Sequence, residues 1–430
     1  MRRRRALLVA MFFVVIMPAS SSAQGLRSRI AELFSFGDCA DPLCLDGSVN
    51  AQNGHGQHFI PAALGGNETI ISFILDAIGT NVSNIPLGAT SSGATFTLVG
   101  GLPVKTSESS GPIFGERAQT LGRGRLVVGA NMSAMSFSSL RGTSLDDLVF
   151  NFTHQDVGTP GLGSPAFEND FIEVRTSMSL NLIVASFYAT YGVTDRFDIG
   201  VAVPLVHTSF RGESDAQIVT FSTAPLHFFS GTSTNPVLTA STHASGNATG
   251  LGDVAVRAKL NLNRSARASF SVLAEGHLPT GDEDDLLGAG GWALRGLGVY
   301  SARFGDFSPH FNFGGVHRSG DRQTSALIAN AGFDQLLAPW ATFAFDILSE
   351  WQLGESALEI PEPVVYSFPF ARTVQPTNIE DRRDDLIGLS VGTKLRMDSG
   401  ATGILNMLVP IGQGGLRPRA VWTAGLEYNF

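Results

Sequence analysis

From Gly122 onward the chain repeats one unit: about ten to fifteen residues alternating apolar and polar side chains, then a connection that is by turns short and long. The short connections are rich in turn formers: Gly192-Val193-Thr194-Asp195, Asn263-Arg264-Ser265-Ala266, Gly305-Asp306, Ala338-Pro339 and Asp398-Ser399-Gly400. The long ones span 138–171, 211–249, 279–289 and 353–384, with lesser ones near 319–323 and 411–417. A soluble sandwich has no reason to keep that parity, whereas a transmembrane barrel needs tight turns on one side of the membrane and loops on the other. The expected fold class is therefore all-β: a transmembrane antiparallel β-barrel of about 12 strands, or about 14 if 94–99 and 145–152 also count. The strands are expected near 122–137, 172–191, 196–210, 250–263, 267–279, 290–304, 307–318, 324–336, 340–352, 385–397, 401–410 and 418–430.

Alternation sets the register. Val254, Val256, Ala258, Leu260 and Leu262 oppose Asp253, Arg257, Lys259, Asn261 and Asn263. Phe343, Phe345, Ile347 and Trp351 oppose Thr342, Asp346 and Glu350, and Leu389, Val391 and Leu395 oppose Ser390, Lys394 and Arg396. A lipid-facing Arg or Lys at the midplane costs about 2–4 kcal/mol, so the polar faces belong inside. The last stretch carries Ala420, Trp422, Ala424, Leu426, Tyr428 and Phe430 on one face and Arg419, Val421, Thr423, Gly425, Glu427 and Asn429 on the other. Its aromatic end resembles the closing strand of bacterial outer-membrane barrels, which the barrel assembly machinery recognises. Phe197, Trp292, Phe304, Phe307, Trp340, Trp422, Tyr428 and Phe430 fall near expected strand ends, as an interfacial girdle requires.

Composition agrees with a wall that faces lipid. Charged residues are 16% of the chain and glycines number 49, too little charge for a soluble protein of 430 residues. Beyond the first twenty residues, no apolar run reaches the ~18 residues of a membrane-spanning helix. Arg2 to Arg5, the apolar run Ala6 to Met17 and Ser21-Ser22-Ala23 read as a signal peptide, residues 1–23. Its removal takes the formal charge from −9 to −13, a poor balance for binding nucleic acid. The partners expected instead are outer-membrane lipid and lipopolysaccharide, and the location is the bacterial outer membrane.

Residues 24–120 differ from the rest. Leu26, Ile30, Leu33 and Phe34 recur at helical spacing, 68–78 is a second helical candidate, and Gly- and Ser-rich stretches follow. The segment is expected either to plug the barrel formed by 121–430 or to extend into the periplasm. Cys39 and Cys44, flanking a short Pro-containing turn, read as a local disulfide in an exported protein; a metal site with His55 and His58 is the weaker alternative.

No nucleophile elbow, zinc-binding helix motif or phosphate loop occurs, so neither an enzyme nor a cofactor is expected. His277 lies two residues from Glu275 on a polar face and reads as part of a lumen network, an acid–base pair being the lesser option. Asp282 to Asp285 read as a solvated charge cluster; calcium is the lesser option because the spacing of a calcium loop is absent. The candidate lumen lining comprises Arg175, Arg257, Lys259, Arg295, Lys394, Arg396 and Arg419 with Glu173, Glu275, Asp346, Glu350 and Glu427. Such a lining can cross-link into a polar core or select a permeant by field and size.

Tyr191-Gly192-Val193-Thr194-Asp195-Arg196-Phe197-Asp198-Ile199-Gly200-Val201-Ala202-Val203-Pro204, with Gly252-Asp253-Val254 and Leu278-Pro279-Thr280-Gly281-Asp282, resembles an outer-membrane transporter-like family named after the meta pathway of phenol degradation. The likeness covers 171–430. It implies kinship with fatty-acid and aromatic hydrocarbon channels, and passage of small hydrophobic or aromatic compounds. The alternatives are an outer-membrane lipid hydrolase, which needs an outward Ser–His pair, and a structural or adhesive barrel acting through its long loops.

Overall fold

The protein is described by a computed structural model covering residues 25–36, 72, 74–78, 96–99, 102–105, 109–153, 169–221, 227–232, 234–265, 267–320, 323–356, 358 and 360–430. The signal-peptide reading and the Cys39–Cys44 pairing lie outside the described residues.

Twelve antiparallel strands close into a barrel. They are β1 Leu126–Leu140, β2 Phe171–Gly192, β3 Phe197–Val219, β4 in two segments (Thr239–Leu251 and Val254–Arg264), β5 Ala268–Leu278, β6 Ala293–Ala302, β7 Phe307–Arg318, β8 Ala326–Ala338, β9 Ala341–Gln352, β10 Leu386–Arg396, β11 Ala401–Pro410 and β12 Leu416–Asn429. Each pairs with its sequence neighbour, and β12 closes on β1 in a register running from Asn429↔Val127 to Leu416↔Leu140. Closure leaves no open edge in the twelve-stranded wall, the only way strands can cross lipid with all backbone groups paired. No helix among the described residues is long and apolar enough to cross a membrane.

The wall changes character along its height. Outward on the inner half of β2 stand Ile183, Phe187 and Tyr191, all exposed, while Ser186 and Thr190 are buried inside. Above the pair Ile183↔His207 the polarity inverts. There the outward residues are Asn181, Ser179, Ser177 and Arg175, facing Ser209, Arg211, Glu213 and Asp215 across the register. The buried ones are Leu182, Leu180, Met178, Val206, Phe210 and Ile218. The outward apolar belt from Tyr191 to Ile183 rises about 30 Å along the strand, or roughly 20 Å after a tilt near 45°, close to the apolar band of an outer-membrane barrel. β2 and β3, at 22 and 23 residues, are about twice the length needed to span. Their surplus stands outside the membrane.

That surplus encloses a core of the soluble kind. The helix α1, Leu26–Ala31, and the following turn bury Leu26, Ile30, Leu33 and Phe34 in one cluster with Ile74, Leu75, Ile78, Phe150, Leu180 and Phe210. Phe34 meets Phe150 edge-on at 5.1 Å. Arg27 pairs with Asp76 at 2.7 Å, and its backbone N–H donates to the Asp284 carbonyl at 2.8 Å. The run Asp282–Asp285 is thus partly engaged: Asp282 accepts from the Asp284 amide, and Asp285 from that of Leu26.

The structure lengthens several elements expected to be shorter. Most of 211–249 is strand, 138–171 contains the strand Leu148–Phe152, and 353–384 contains a hairpin, Val364–Tyr366 with Arg372–Val374. In β4 the neighbours Gly252 and Asp253 are both buried and form a bulge, shifting the outward set from Thr249 and Leu251 to Val254 and Val256.

Candidate functional site

Residues 109–121 cross the barrel lumen as an arch, almost wholly buried from Ser109 to Leu121. An irregular segment inside a membrane protein must have its peptide groups satisfied by the wall. The wall supplies the partners. The Ser110 N–H donates to Thr342 Oγ1 at 3.0 Å, and the Glu116 N–H donates to Asn312 Oδ1 while Asn312 Nδ2 donates back to the Glu116 carbonyl, both at 2.9 Å. Lys259 Nζ donates to the Arg117 carbonyl at 3.2 Å, and Asn261 Nδ2 to that of Ala118 at 2.7 Å. Ser301 and Asp198 accept from the amides of Ala118 and Leu121 at 2.8 and 2.9 Å. Gly115 passes so close to the wall that a methyl group there would overlap the His310 ring and the Asp346 carboxylate.

Charge fastens the arch at two points. Arg117 grips Asp334 through two nitrogens, at 2.6 and 3.2 Å, and Ser109 Oγ bonds the same carboxylate. Asp334 is fully buried, so the pair holds by this bidentate geometry. Glu116 sits between Lys259 at 3.5 Å and Arg257 at 3.8 Å. Next to it, Glu275 serves three neighbours: Arg257, Arg295 at 3.0 Å and His277 at 2.9 Å. Lys394 reaches Glu427 at 3.7 Å, and His310 bonds Asp346 at 2.6 Å.

Between the arch and the outer core lies a cavity of about 200 Å³. Phe114 of the arch, Met135, Leu297, Ile328, Leu408 and Val421 give it a mostly apolar lining. Arg295, Glu350 and Arg417 are its charged members. Glu350 is held by Arg318 at 2.6 Å.

The candidate lining residues fall into three groups. Arg257, Lys259, Glu275, Asp346, Lys394 and Glu427 sit on the inner wall and hold the arch or one another, while Arg295 and Glu350 reach the cavity. Arg396 is half-buried at the turn end of β10. Arg175 and Glu173 do not line the lumen: they stand on the outer face, where Arg175 bonds Glu173 at 2.9 Å with its side chain 59% exposed. In that part of β2 the inside is the apolar side. Arg419 is also outside, exposed at an irregularity between Pro418 and Val421. The buried arginine there is Arg417. Residues not singled out from the sequence are Asp334, Asn312 and Arg318, all inward, and Glu116 and Arg117, whose only signal was a charged pair directly after the stretch Gly111-Pro112-Ile113-Phe114-Gly115.

Closure, the apolar belt and the buried polar interior define a bacterial outer-membrane β-barrel whose lumen is crossed by its own N-terminal segment. A sequence family described as "Putative MetA-pathway of phenol degradation" matches residues 157–332, less than half of the chain. Solved structures with similarity include an outer-membrane channel from Pseudomonas putida F1, at 11% identity and TM-score 0.43, covering 73% of this chain and 98% of that one. The P. putida toluene transporter TodX matches at 9% identity and TM-score 0.31, covering 71% and 89%. A Pseudomonas aeruginosa FadL homologue matches at 10% and 0.30, covering 71% and 89%. No curated protein matches.

Proposed function

We propose that the protein is an outer-membrane channel for small hydrophobic or aromatic compounds, with the cavity above the arch as its passage site. The observation that carries this reading is the cavity itself, a mostly apolar pocket of about 200 Å³ between the arch and the wall. A dry apolar cavity of about 150 Å³ accommodates benzene, so this one matches a single aromatic ring. A purely structural lumen would have filled that space with side chains. The family matched over residues 157–332 is named for phenol degradation, a process acting on such rings. The permeant would meet an arch held by polar contacts and by the apolar packing of Ile113 and Phe114 on Ala344 and Ile404.

The test is influx into vesicles carrying lipopolysaccharide in the outer leaflet. Phenol should enter protein-bearing vesicles faster than empty ones, and sucrose should not. Equal phenol influx with and without protein would refute the channel.

A hydrolase needs an outward Ser–His pair. One such contact exists, His317 Nδ1 with Ser325 Oγ at 3.0 Å, but the ring packs on Trp292 at 5.4 Å, and no carboxylate orients it among the described residues. His277 points inward to Glu275. We therefore propose no catalytic step, and expect phospholipid incubated with the purified barrel to stay intact by thin-layer chromatography.

A further inference from the structure

On the wall formed by β4, β5 and β6, Arg257 and Arg295 both pair with one carboxylate, Glu275. Arg295 reaches the cavity; its Nη1 bonds Glu275, and its buried Nε has no hydrogen-bond partner among the described residues. The opposite side holds Arg417, which is 4% exposed. Arg417 donates to three backbone carbonyls, those of Gly414, Ile387 and Asp385, at 2.6, 3.1 and 2.7 Å, and forms no ion pair among the described residues. The one carboxylate lining the cavity, Glu350, is already taken by Arg318. The mostly apolar pocket thus carries Arg417, buried with no ion pair among the described residues, and Arg295, which shares its carboxylate with Arg257.

Burying such a charge is costly unless a counter-charge accompanies it. A guanidinium's planar fork matches the two oxygens of a carboxylate, and a singly charged carboxylate costs less to bring into a mostly apolar pocket than a doubly charged phosphate. We propose that the cavity selects small aromatic or hydrophobic monocarboxylates, the ring lying among Phe114, Leu297, Ile328 and Leu408 and the carboxylate between Arg295 and Arg417. This rests on the channel reading above and names its substrate class. Paired positive groups in a narrow lumen also raise the local concentration of anions and repel amines.

The experiment is equilibrium binding to the detergent-solubilised full-length barrel, by calorimetry at pH 7, of three ligands of nearly equal shape: benzoate, benzamide and benzylammonium. Benzoate should bind at least about tenfold more tightly than benzamide, a difference of about 1.4 kcal/mol, and benzylammonium should be weakest. In Arg417→Gln and Arg295→Gln the benzoate-to-benzamide ratio should fall, reaching about one in the double variant, with folding checked by heat-modifiable gel mobility. If the variants do not fold, the three-ligand series on the unaltered protein still decides. Equal affinity for benzoate and benzamide, or a preference for the amine, overturns the inference. The selective-binding result without any influx into vesicles would instead remove the channel reading while leaving the anion site standing.

Discussion

The two halves of this barrel are built on opposite rules from the same strands. In the inner half of β2 and β3 the outward residues are Ile183, Phe187, Tyr191, Ile199 and Val201, and the inward ones include Ser186, Thr190 and Asp198. In the outer half, Ser177, Arg175, Glu213 and Asp215 point outward while Leu180, Met178, Phe210 and Ile218 are buried. The inner half is a membrane protein, stabilised inside by hydrogen bonds and ion pairs to the arch. The outer half is a water-soluble domain, stabilised by burying α1 against apolar side chains. One continuous ladder of backbone hydrogen bonds serves both, so the chain changes solvent without changing secondary structure.

Substitutions can separate the two rules. The largest effect is expected from Asp334→Ala, which strands Arg117 in the inner half; removing one partner of a buried pair costs about 3–5 kcal/mol. Urea unfolding in detergent micelles would measure it, and Arg117→Met with Asp334→Leu should recover much of the loss, since an apolar pair carries no unpaired charge. Next, Leu33→Ala in the outer core should cost about 2–5 kcal/mol and increase proteolysis of the outer half, while leaving the inner half protected. Then Phe187→Arg, on the lipid side, should cost about 2–4 kcal/mol in bilayers. Its counterpart Ser177→Arg, on the same face but above the belt, should change stability by no more than about 0.5 kcal/mol. Equal penalties at 177 and 187 would place both positions in lipid.

Much of the barrel was legible because alternation and connection parity are local. Strands such as Phe307–Arg318 and Ala401–Pro410 coincide with the ranges read from sequence. The outer half was harder. Arg175 alternates as faithfully as Arg257 does, and alternation alone cannot say which face is inside once the surrounding solvent changes. The irregularity before Val421 hid the exchange of Arg419 for Arg417, and the Gly252-Asp253 bulge reversed parity within β4. The arch was invisible for a different reason: residues 109–121 have no periodicity, because their peptide groups bond side chains far away in sequence rather than one another. Partners such as Asn312 and Asp334 look like ordinary lumen polar residues until the segment they hold is present.

The boundary between the halves is the claim on which the rest depends, and a nitroxide scan along the outward positions of β2 tests it most directly. Single labels at 175, 177, 179, 181, 183, 185, 187 and 189 in reconstituted bilayers would be compared for contact with oxygen, which partitions into lipid, and with a water-soluble nickel chelate. Oxygen contact should dominate at 183 to 189 and nickel contact at 175 to 181, with the crossover between 181 and 183. Oxygen dominance along the whole strand, or nickel dominance at 187, would contradict it.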